Sequence, residues 1–154
     1  MDVIARSAVD VCGRMAHGLA PLSRVQGGLV EAFRQMVMIP CEWQGPKLSF
    51  DAVTMSQIHL PLESMEHLYR IGQEAFRNAI RHSQAKTIKV RLEIHRASIK
   101  VAVEDDGIGA KHFDDETGGL GLNLMRYRSR LINAKFRVIG VNPHGTRVVC
   151  EAPQ

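Results

Sequence analysis

The sequence has no stretch that would place it in a membrane. No apolar run approaches the ~20 residues that a membrane-spanning helix needs. The start, MDVIARSAVD, also lacks the basic segment and the apolar segment that together mark a secretory signal peptide. Both absences favour a cytoplasmic domain, and they leave open whether a longer protein containing it is attached to a membrane.

Cysteine is scarce as well. The chain has three cysteines, Cys12, Cys41 and Cys150, which are scattered along it and odd in number. This usage argues against a disulfide framework or a zinc site, and for reduced thiols in a cytosolic protein. Internal repeats and low-complexity segments are absent too.

The remaining composition is ordinary for one soluble globular domain. The 154 residues are 45% hydrophobic and 23% charged, and a chain of this size can bury a sizeable core. The net charge of +4 is compatible with an anionic ligand, although a solvated surface explains it equally well.

Hydrophobic periodicity divides the chain into helices and strands. The strongest helix, PLESMEHLYRIGQEAFRNAIRHS, keeps apolar residues at a spacing of three to four throughout. The last helix is expected to turn Leu124, Leu131 and Ile132 toward the core. The expected elements are helices at 3–19, 27–38, 61–83 and 121–133, two short strands around Gly45 and Pro46, a hairpin of strands 88–94 and 99–103, and strands at 135–141 and 145–151. This order predicts an α/β (α+β) two-layer sandwich, in which a mixed, mostly antiparallel sheet is covered on one face by helices.

The segment VAVEDDGIGA places two carboxylates and two glycines at the end of a strand. Ile99, Val101 and Val103 alternate toward the core, and Asp105 is the next residue in that phase. A carboxylate in that position is expected to face a pocket, whereas Asp106 points to the other side. An ordinary Asp-Gly turn explains the same residues without any function.

A polar edge follows the apolar stripe of the strongest helix. Glu74 and Asn78 lie one turn apart on this edge, and an asparagine within a helix is locally unfavourable. Its oxygen is a good neutral ligand for Mg²⁺, and Glu74 beside it would hold or deprotonate a water molecule. Arg81 and His82, one turn further, offer donors for phosphate oxygens. The alternative interpretation is a solvated polar edge.

A third candidate feature is the glycine-rich turn in ETGGLGLNLMRYRSRL. Gly118, Gly119 and Gly121 lead directly into a helix, and such a turn presents backbone N–H groups that suit phosphates. The turn is not a P-loop, because no Gly-Lys-Ser/Thr follows it. It is not the dinucleotide fingerprint either, because Leu124 occupies the third glycine position. Glycines also serve as plain linkers, so this turn alone is weak evidence.

Four motifs together resemble a known superfamily. EAFRNAIRH, DDGIG, GGLGL and HGTRV occur in the order found in the GHKL ATPases, and the chain is most similar to the catalytic domain of sensor histidine kinases with a short nucleotide lid. The resemblance covers about residues 26–153. It implies a domain at 26–154 that binds ATP and Mg²⁺, preceded at 1–25 by the end of a dimerisation and phosphoacceptor hairpin.

The resemblance also assigns roles to the candidate residues. Asp105 matches the aspartate that accepts a hydrogen bond from the adenine amino group, Asn78 matches the asparagine that holds magnesium, and Glu74 matches the catalytic acid near it. Gly107 and Gly109 would let the chain approach the base and turn into the lid. The full set of implied nucleotide-contacting and catalytic residues is Glu74, Asn78, Arg81, His82, Asp105, Gly107, Gly109, Gly119, Leu120, Gly121 and Thr146.

The chain departs from the family pattern at the phosphoacceptor. This subfamily places an acidic residue directly after the phosphorylated histidine, whereas His17 is followed by Gly18. The implied activity is therefore transfer of the γ-phosphoryl group of ATP to a histidine outside this chain, for relay to a response regulator. The full-length kinase is expected to form a homodimer.

Three other functions compete with that interpretation. An anti-sigma-factor-like serine kinase shares the nucleotide motifs, and a nucleotide-binding-dead interaction module would share the fold. A nucleic-acid binder would use Arg126, Arg128 and Arg130, but these spread around the helix and no aromatic platform accompanies them. No nucleic-acid partner is therefore expected.

Overall fold

The computed structural model describes residue 22 and residues 25–38, 44–109 and 119–154. Within these ranges the chain forms three helices and five strands. In chain order they are α1 (Gly28–Val37), β1 (Lys47–Thr54), α2 (Leu62–His82), β2 (Thr87–His95), β3 (Ser98–Asp105), α3 (Leu120–Leu131), β4 (Lys135–Gly140) and β5 (Thr146–Pro153).

The strands form one mixed sheet in the order β1-β2-β3-β5-β4. The β1–β2 pair is parallel, with α2 as the crossover between them, and every other pair is antiparallel. The register of β3 and β5 places Asp105 opposite Thr146, which brings the motifs DDGIG and HGTRV together. The predicted α/β sandwich with a mostly antiparallel sheet is confirmed.

The core lies between the helices and one face of the sheet. Along β3 the residues alternate between half-buried and buried, and Asp105 continues the buried phase as its last member. The middle of α2 packs closely on the layer beneath it, because a Cβ atom at Gly72 would stand 2.5 Å from the ring of Phe33 and 3.2 Å from Val101. Phe33 in turn stacks on Phe50 of β1. Helices α1 and α2 are thus packed closely against each other and against the sheet.

One of the two short strands expected around Gly45 and Pro46 is confirmed. The strand after these residues is β1, which begins at Lys47, and residues 44–46 form no strand. Proline has no N–H to donate to a neighbouring strand, which explains why pairing starts only after it. Residues 41–43 lie outside the described residues, so the strand expected before Gly45 stays a prediction.

The inward face of the last helix was predicted wrongly. Leu124 and Leu131 are 40% and 51% exposed, whereas Leu122, Met125 and Ser129 of α3 are buried. Ile132, just after the helix, is buried as expected. α3 has apolar residues on two sides, and the side with the buried serine is the one that packs inward.

The beginning of the chain is described only in part. The predicted helix at 3–19, with His17, lies outside the described residues. Leu22 is buried, and its N–H donates to Glu66 Oε2 of α2 at 2.7 Å, so the chain before residue 26 already contributes to this core. The proposed boundary after residue 25 stays a prediction. In the part of the chain that the structure describes, no helix is long and apolar enough to cross a membrane.

Candidate active site

A cavity of about 420 Å³ opens between α2, α3 and the ends of β3 and β5. Eight of the residues expected at a nucleotide site line it. They are Asn78, His82, Asp105, Gly109, Gly119, Leu120, Gly121 and Thr146. Glu74, Arg81 and Gly107 do not line the cavity, although each belongs to a segment that does.

Asp105 is a buried carboxylate held by backbone amides. Asp105 is only 6% exposed, and its Oδ1 accepts the N–H of Gly107 at 2.9 Å. Burial raises the pKa of Asp105 above its ordinary value, and the backbone amides of Gly107 and Thr146 partly oppose that rise. A carboxylate has about four lone-pair positions, so two amides leave it able to accept from a ligand in the cavity.

The neighbouring Asp106 faces the other side and has a different role. Its Oδ1 accepts the N–H groups of Lys86 and Thr87, both at 2.8 Å, where the chain passes from α2 into β2. Hydrogen bonds from Thr87 are the main cause that lowers the pKa of Asp106. Asp106 therefore fastens the backbone, and it does not line the cavity.

The glycine after these two aspartates explains why the motif needs a residue without a side chain. A Cβ atom at Gly107 would overlap the carbonyl group of Ser83, at the end of α2. The same carbonyl oxygen accepts the N–H of Ile108 at 2.8 Å. Gly107 thus contributes to the site through close backbone packing, which locks the loop after Asp105 onto α2.

Glu74 and Asn78 lie under the beginning of α3. A Cβ atom at Gly121 would overlap Glu74 Oε1 and would stand 3.4 Å from Asn78 Nδ2. Glu74 has a side chain that is only 13% exposed and forms an ion pair with Arg77, which the sequence analysis did not single out. The spacing Glu-x-x-Arg on one helix was the available signal for this pair.

The N-terminus of α3, which is the positive end of the helix dipole, forms part of the cavity wall. Gly119 is its N-cap residue without a side-chain cap, and no acidic residue lies in the first turn. The Gly119 carbonyl accepts the N–H groups of Leu122 and Asn123, as in a normal first turn. The N–H groups at such a helix start have no intrahelical partner and favour phosphate groups.

Another part of the cavity wall is apolar, and the sequence patterns did not predict it. It includes Leu122 and Met125 of α3 together with Val138 and Val148 of the sheet. Asp105 is thus an acceptor at the edge of an apolar pocket, which suits a flat ring with an amino group. The two α3 residues were missed because the inward side of that helix had been assigned to other leucines.

The residues present also fit a magnesium ion bound with a nucleotide. In the described ranges no cluster of three or more histidine, cysteine, aspartate or glutamate side chains could hold a metal ion by itself. Mg²⁺ commonly takes one or two protein oxygens and completes its shell with phosphate oxygens and water. Asn78 lines the cavity beside the start of α3, so it is placed to provide such an oxygen.

Comparison of the sequence with known protein families identifies the chain as a member of the GHKL class of ATPases. Residues 63–154 match the sequence profile of the "Histidine kinase-, DNA gyrase B-, and HSP90-like ATPase" family, and the chain belongs to that family. The resemblance inferred from the four motifs is therefore confirmed.

Two curated relatives are a sensor histidine kinase and a sensor protein. The sensor histidine kinase LiaS of Bacillus subtilis is 32% identical over 125 residues, which are 81% of this chain and 32% of LiaS. The sensor protein VraS of Staphylococcus saprophyticus is 30% identical over 151 residues, which are 98% of this chain and 42% of VraS. The chain spans less than half the length of either relative.

Solved structures show the same fold. The histidine kinase domain of the blue-light activated histidine kinase EL346 from Erythrobacter litoralis has a TM-score of 0.66 at 17% identity, covering 99% of this chain and 76% of that one. Full-length ShkA in complex with AMPPNP has a TM-score of 0.65 at 21% identity, covering 96% of this chain and 35% of that one. At these identities the likeness concerns the fold alone.

Proposed function

We propose that this chain binds Mg-ATP in the cavity and, within a longer sensor kinase, presents the γ-phosphoryl group to a histidine outside the chain. The observation that carries the proposal is the position of Asp105, a buried carboxylate at the edge of an apolar pocket, in a chain of the histidine kinase-like ATPase family. The likeness to ShkA, whose structure holds AMPPNP, supports the same assignment.

In this proposal each part of the cavity has one task. Asp105 accepts the adenine amino group, and the apolar walls around Met125 enclose the ring. The N-terminus of α3 and His82 face the phosphates, and Asn78 binds the magnesium ion, which neutralises phosphate charge. Glu74 orients the γ-phosphate region from beneath Gly121. Phosphoryl transfer requires mainly positioning and charge neutralisation, which such a site supplies.

The relatives support a proposal about the partners of this activity. Both LiaS and VraS are sensor proteins, so we propose relay to a response regulator, a homodimeric full-length kinase and action in the cytoplasm. A serine kinase of the same superfamily is less favoured, because the relatives above are sensor kinases. A nucleotide-dead module is less favoured because the cavity and its acceptor are both present.

A calorimetric titration with ATP and ADP, with and without Mg²⁺, tests the proposal. Binding of both nucleotides, strengthened by Mg²⁺ for ATP, is the expected result. Asn78→Asp should change the magnesium dependence of ATP binding more than it changes the affinity measured in chelator. Asn133→Asp introduces the same charge in the turn after α3 and serves as the matched control.

Two results would contradict the proposal. Failure of the unmodified, folded chain to bind ATP would exclude the function. Equal losses for Asn78→Asp in magnesium and in chelator would show that Asn78 supports the structure and does not act through the metal.

A further inference from the structure

Two loops meet at the end of the cavity where Asp105 lies. One is the loop 106–109 that follows β3, and the other is the turn 141–145 between β4 and β5. His144, an exposed residue of that turn, joins them through its side chain. Its Nδ1 lies 2.9 Å from the carbonyl oxygen of Asp106 and 3.0 Å from that of Gly107.

These two contacts determine the tautomer of His144. Carbonyl oxygens accept hydrogen bonds and cannot donate them, so Nδ1 must carry the proton and donate to both. The neutral ring therefore holds its proton on Nδ1 and leaves Nε2 as the unprotonated nitrogen. The side chain acts as a donor from the turn to the loop.

The hydrogen bond to Asp106 reaches the carboxylate of Asp105 through one peptide plane. The carbonyl group of Asp106 and the N–H group of Gly107 belong to the same planar peptide unit. His144 holds the oxygen end of that unit, and the N–H end donates to Asp105 Oδ1 at 2.9 Å. Rotation of the plane would break both hydrogen bonds together.

The turn also packs closely on the loop on both sides of this peptide. A Cβ atom at Gly145 would overlap the carbonyl oxygen of Asp105 and stand 3.2 Å from the Cα of Asp106. On the other side, a Cβ atom at Gly109 would lie 3.4 Å from the Gly145 oxygen. The loop therefore lies directly on the turn, and His144 is the side chain that connects them.

We propose that His144 is a positioning residue, which orients the Asp106–Gly107 peptide and thereby the carboxylate of Asp105 for recognition of adenine. The inference rests on the proposed binding of ATP, and it adds a residue that acts on the base and not on the phosphates. An ordinary turn-stabilising histidine would affect the folded state without such a preference.

Three variants of His144 test the inference. His144→Asn keeps a donor nitrogen at the same number of bonds from the backbone as Nδ1, whereas His144→Gln moves it one bond further and His144→Ala removes it. Each variant is titrated with ATP, with adenosine and with inorganic tripolyphosphate. Loss of one hydrogen bond should weaken binding of ATP and adenosine roughly three- to tenfold in the alanine and glutamine variants. The asparagine variant should stay near the unmodified protein, and tripolyphosphate should bind all four proteins equally.

A spectroscopic measurement and a control accompany the titrations. Imidazole ¹⁵N spectra of the unmodified chain should show the neutral His144 ring protonated on Nδ1. His59→Ala removes an exposed histidine away from the cavity and should leave the binding of all three ligands unchanged.

The outcomes distinguish failure of the inference about His144 from failure of the proposed ATP-binding function. If the unmodified chain binds ATP but His144→Ala binds ATP and adenosine within twofold of it, the inference is wrong and the proposed function stands. An equal loss of tripolyphosphate affinity, a neutral ring protonated on Nε2, or rescue by glutamine in place of asparagine would also overturn it. Absence of ATP binding by the unmodified chain would remove both.

Discussion

Substitution by alanine should have different effects at the adjacent residues Asp105 and Asp106. Asp105 faces the cavity and Asp106 accepts two backbone N–H groups outside it. Asp105→Ala is therefore expected to weaken ATP binding, while Asp106→Ala lowers the stability of the unliganded domain and leaves ATP affinity much less changed.

The size of the Asp105 effect follows from its hydrogen bonds. The amides of Gly107 and Thr146 occupy part of the carboxylate, and the remaining lone pairs are available to one amino group. A hydrogen bond to a charged acceptor contributes about 1.5–3 kcal/mol. At about 1.4 kcal/mol per decade, Asp105→Ala should raise the Kd for ATP roughly 10- to 100-fold.

The pH dependence of unfolding separates the two residues further. The pKa of Asp105 is raised in the folded state, so its contribution to stability is present in acid and is lost as the pH rises through that pKa. The pKa of Asp106 is lowered, so its contribution is present near neutrality and is lost as the pH falls through that pKa. The stability lost by Asp105→Ala should therefore be larger in acid, and the loss by Asp106→Ala larger at neutral pH.

Calorimetry with ATP and denaturant unfolding at two pH values measure these effects. If Asp106→Ala weakens ATP binding more than Asp105→Ala does, the assignment of the two side chains to opposite sides of the strand is refuted. Parallel pH trends for the two variants would refute the stated environments of the carboxylates.

Three further results are expected. Gly121→Ala should weaken Mg-ATP binding, because the added Cβ atom displaces Glu74. Gly119→Ala, whose Cβ atom would have no neighbour within 4 Å, should leave the unliganded domain unperturbed in a thermal unfolding scan. Equal effects of the two variants in both assays would contradict this expectation. Cys150 should resist alkylation in the native chain and react after denaturation, as peptide mass spectrometry would show, because burial raises its pKa to about 12. The chain alone, incubated with γ-labelled ATP, should gain no acid-labile phosphate, since Gly18 follows His17; label that disappears in His17→Gln would refute this.

Local patterns predicted many of the residues that line the cavity. The alternation along β3 is a property of the strand itself, and it identified the inward direction of Asp105 without knowledge of any neighbouring strand. The apolar spacing of α2 similarly fixed which side of that helix carries Glu74 and Asn78. Periodicity is informative wherever one face of an element is clearly apolar.

The failures came from contacts that hydrophobic periodicity does not record. Hydrophobicity alone places Ser129 of α3 outside, but its hydroxyl donates to the Arg126 carbonyl at 2.7 Å, so the buried polar group is satisfied. The link from His144 to the loop after Asp105 joins residues 38 positions apart, so it depends on strand pairing across the sheet. The pairing of Glu74 with Arg77 was visible in the spacing but competed with the catalytic interpretation.

The antiparallel pairing of β3 with β5 makes the cavity a junction between two parts of the chain. Hairpin β2–β3 and helix α2 provide Asn78 and Asp105, whereas α3 and hairpin β4–β5 provide Gly121 and Thr146. Each hairpin pairs neighbouring segments, but the junction closes only when distant segments meet, which is the slower kind of contact to form. A ligand that touches both parts binds only the closed state, and at a hundred times its Kd it stabilises that state by about 2.7 kcal/mol. The concentration of nucleotide would then determine how often these two parts of the chain separate. Slower amide hydrogen exchange across β5 in the presence of nucleotide would measure this effect.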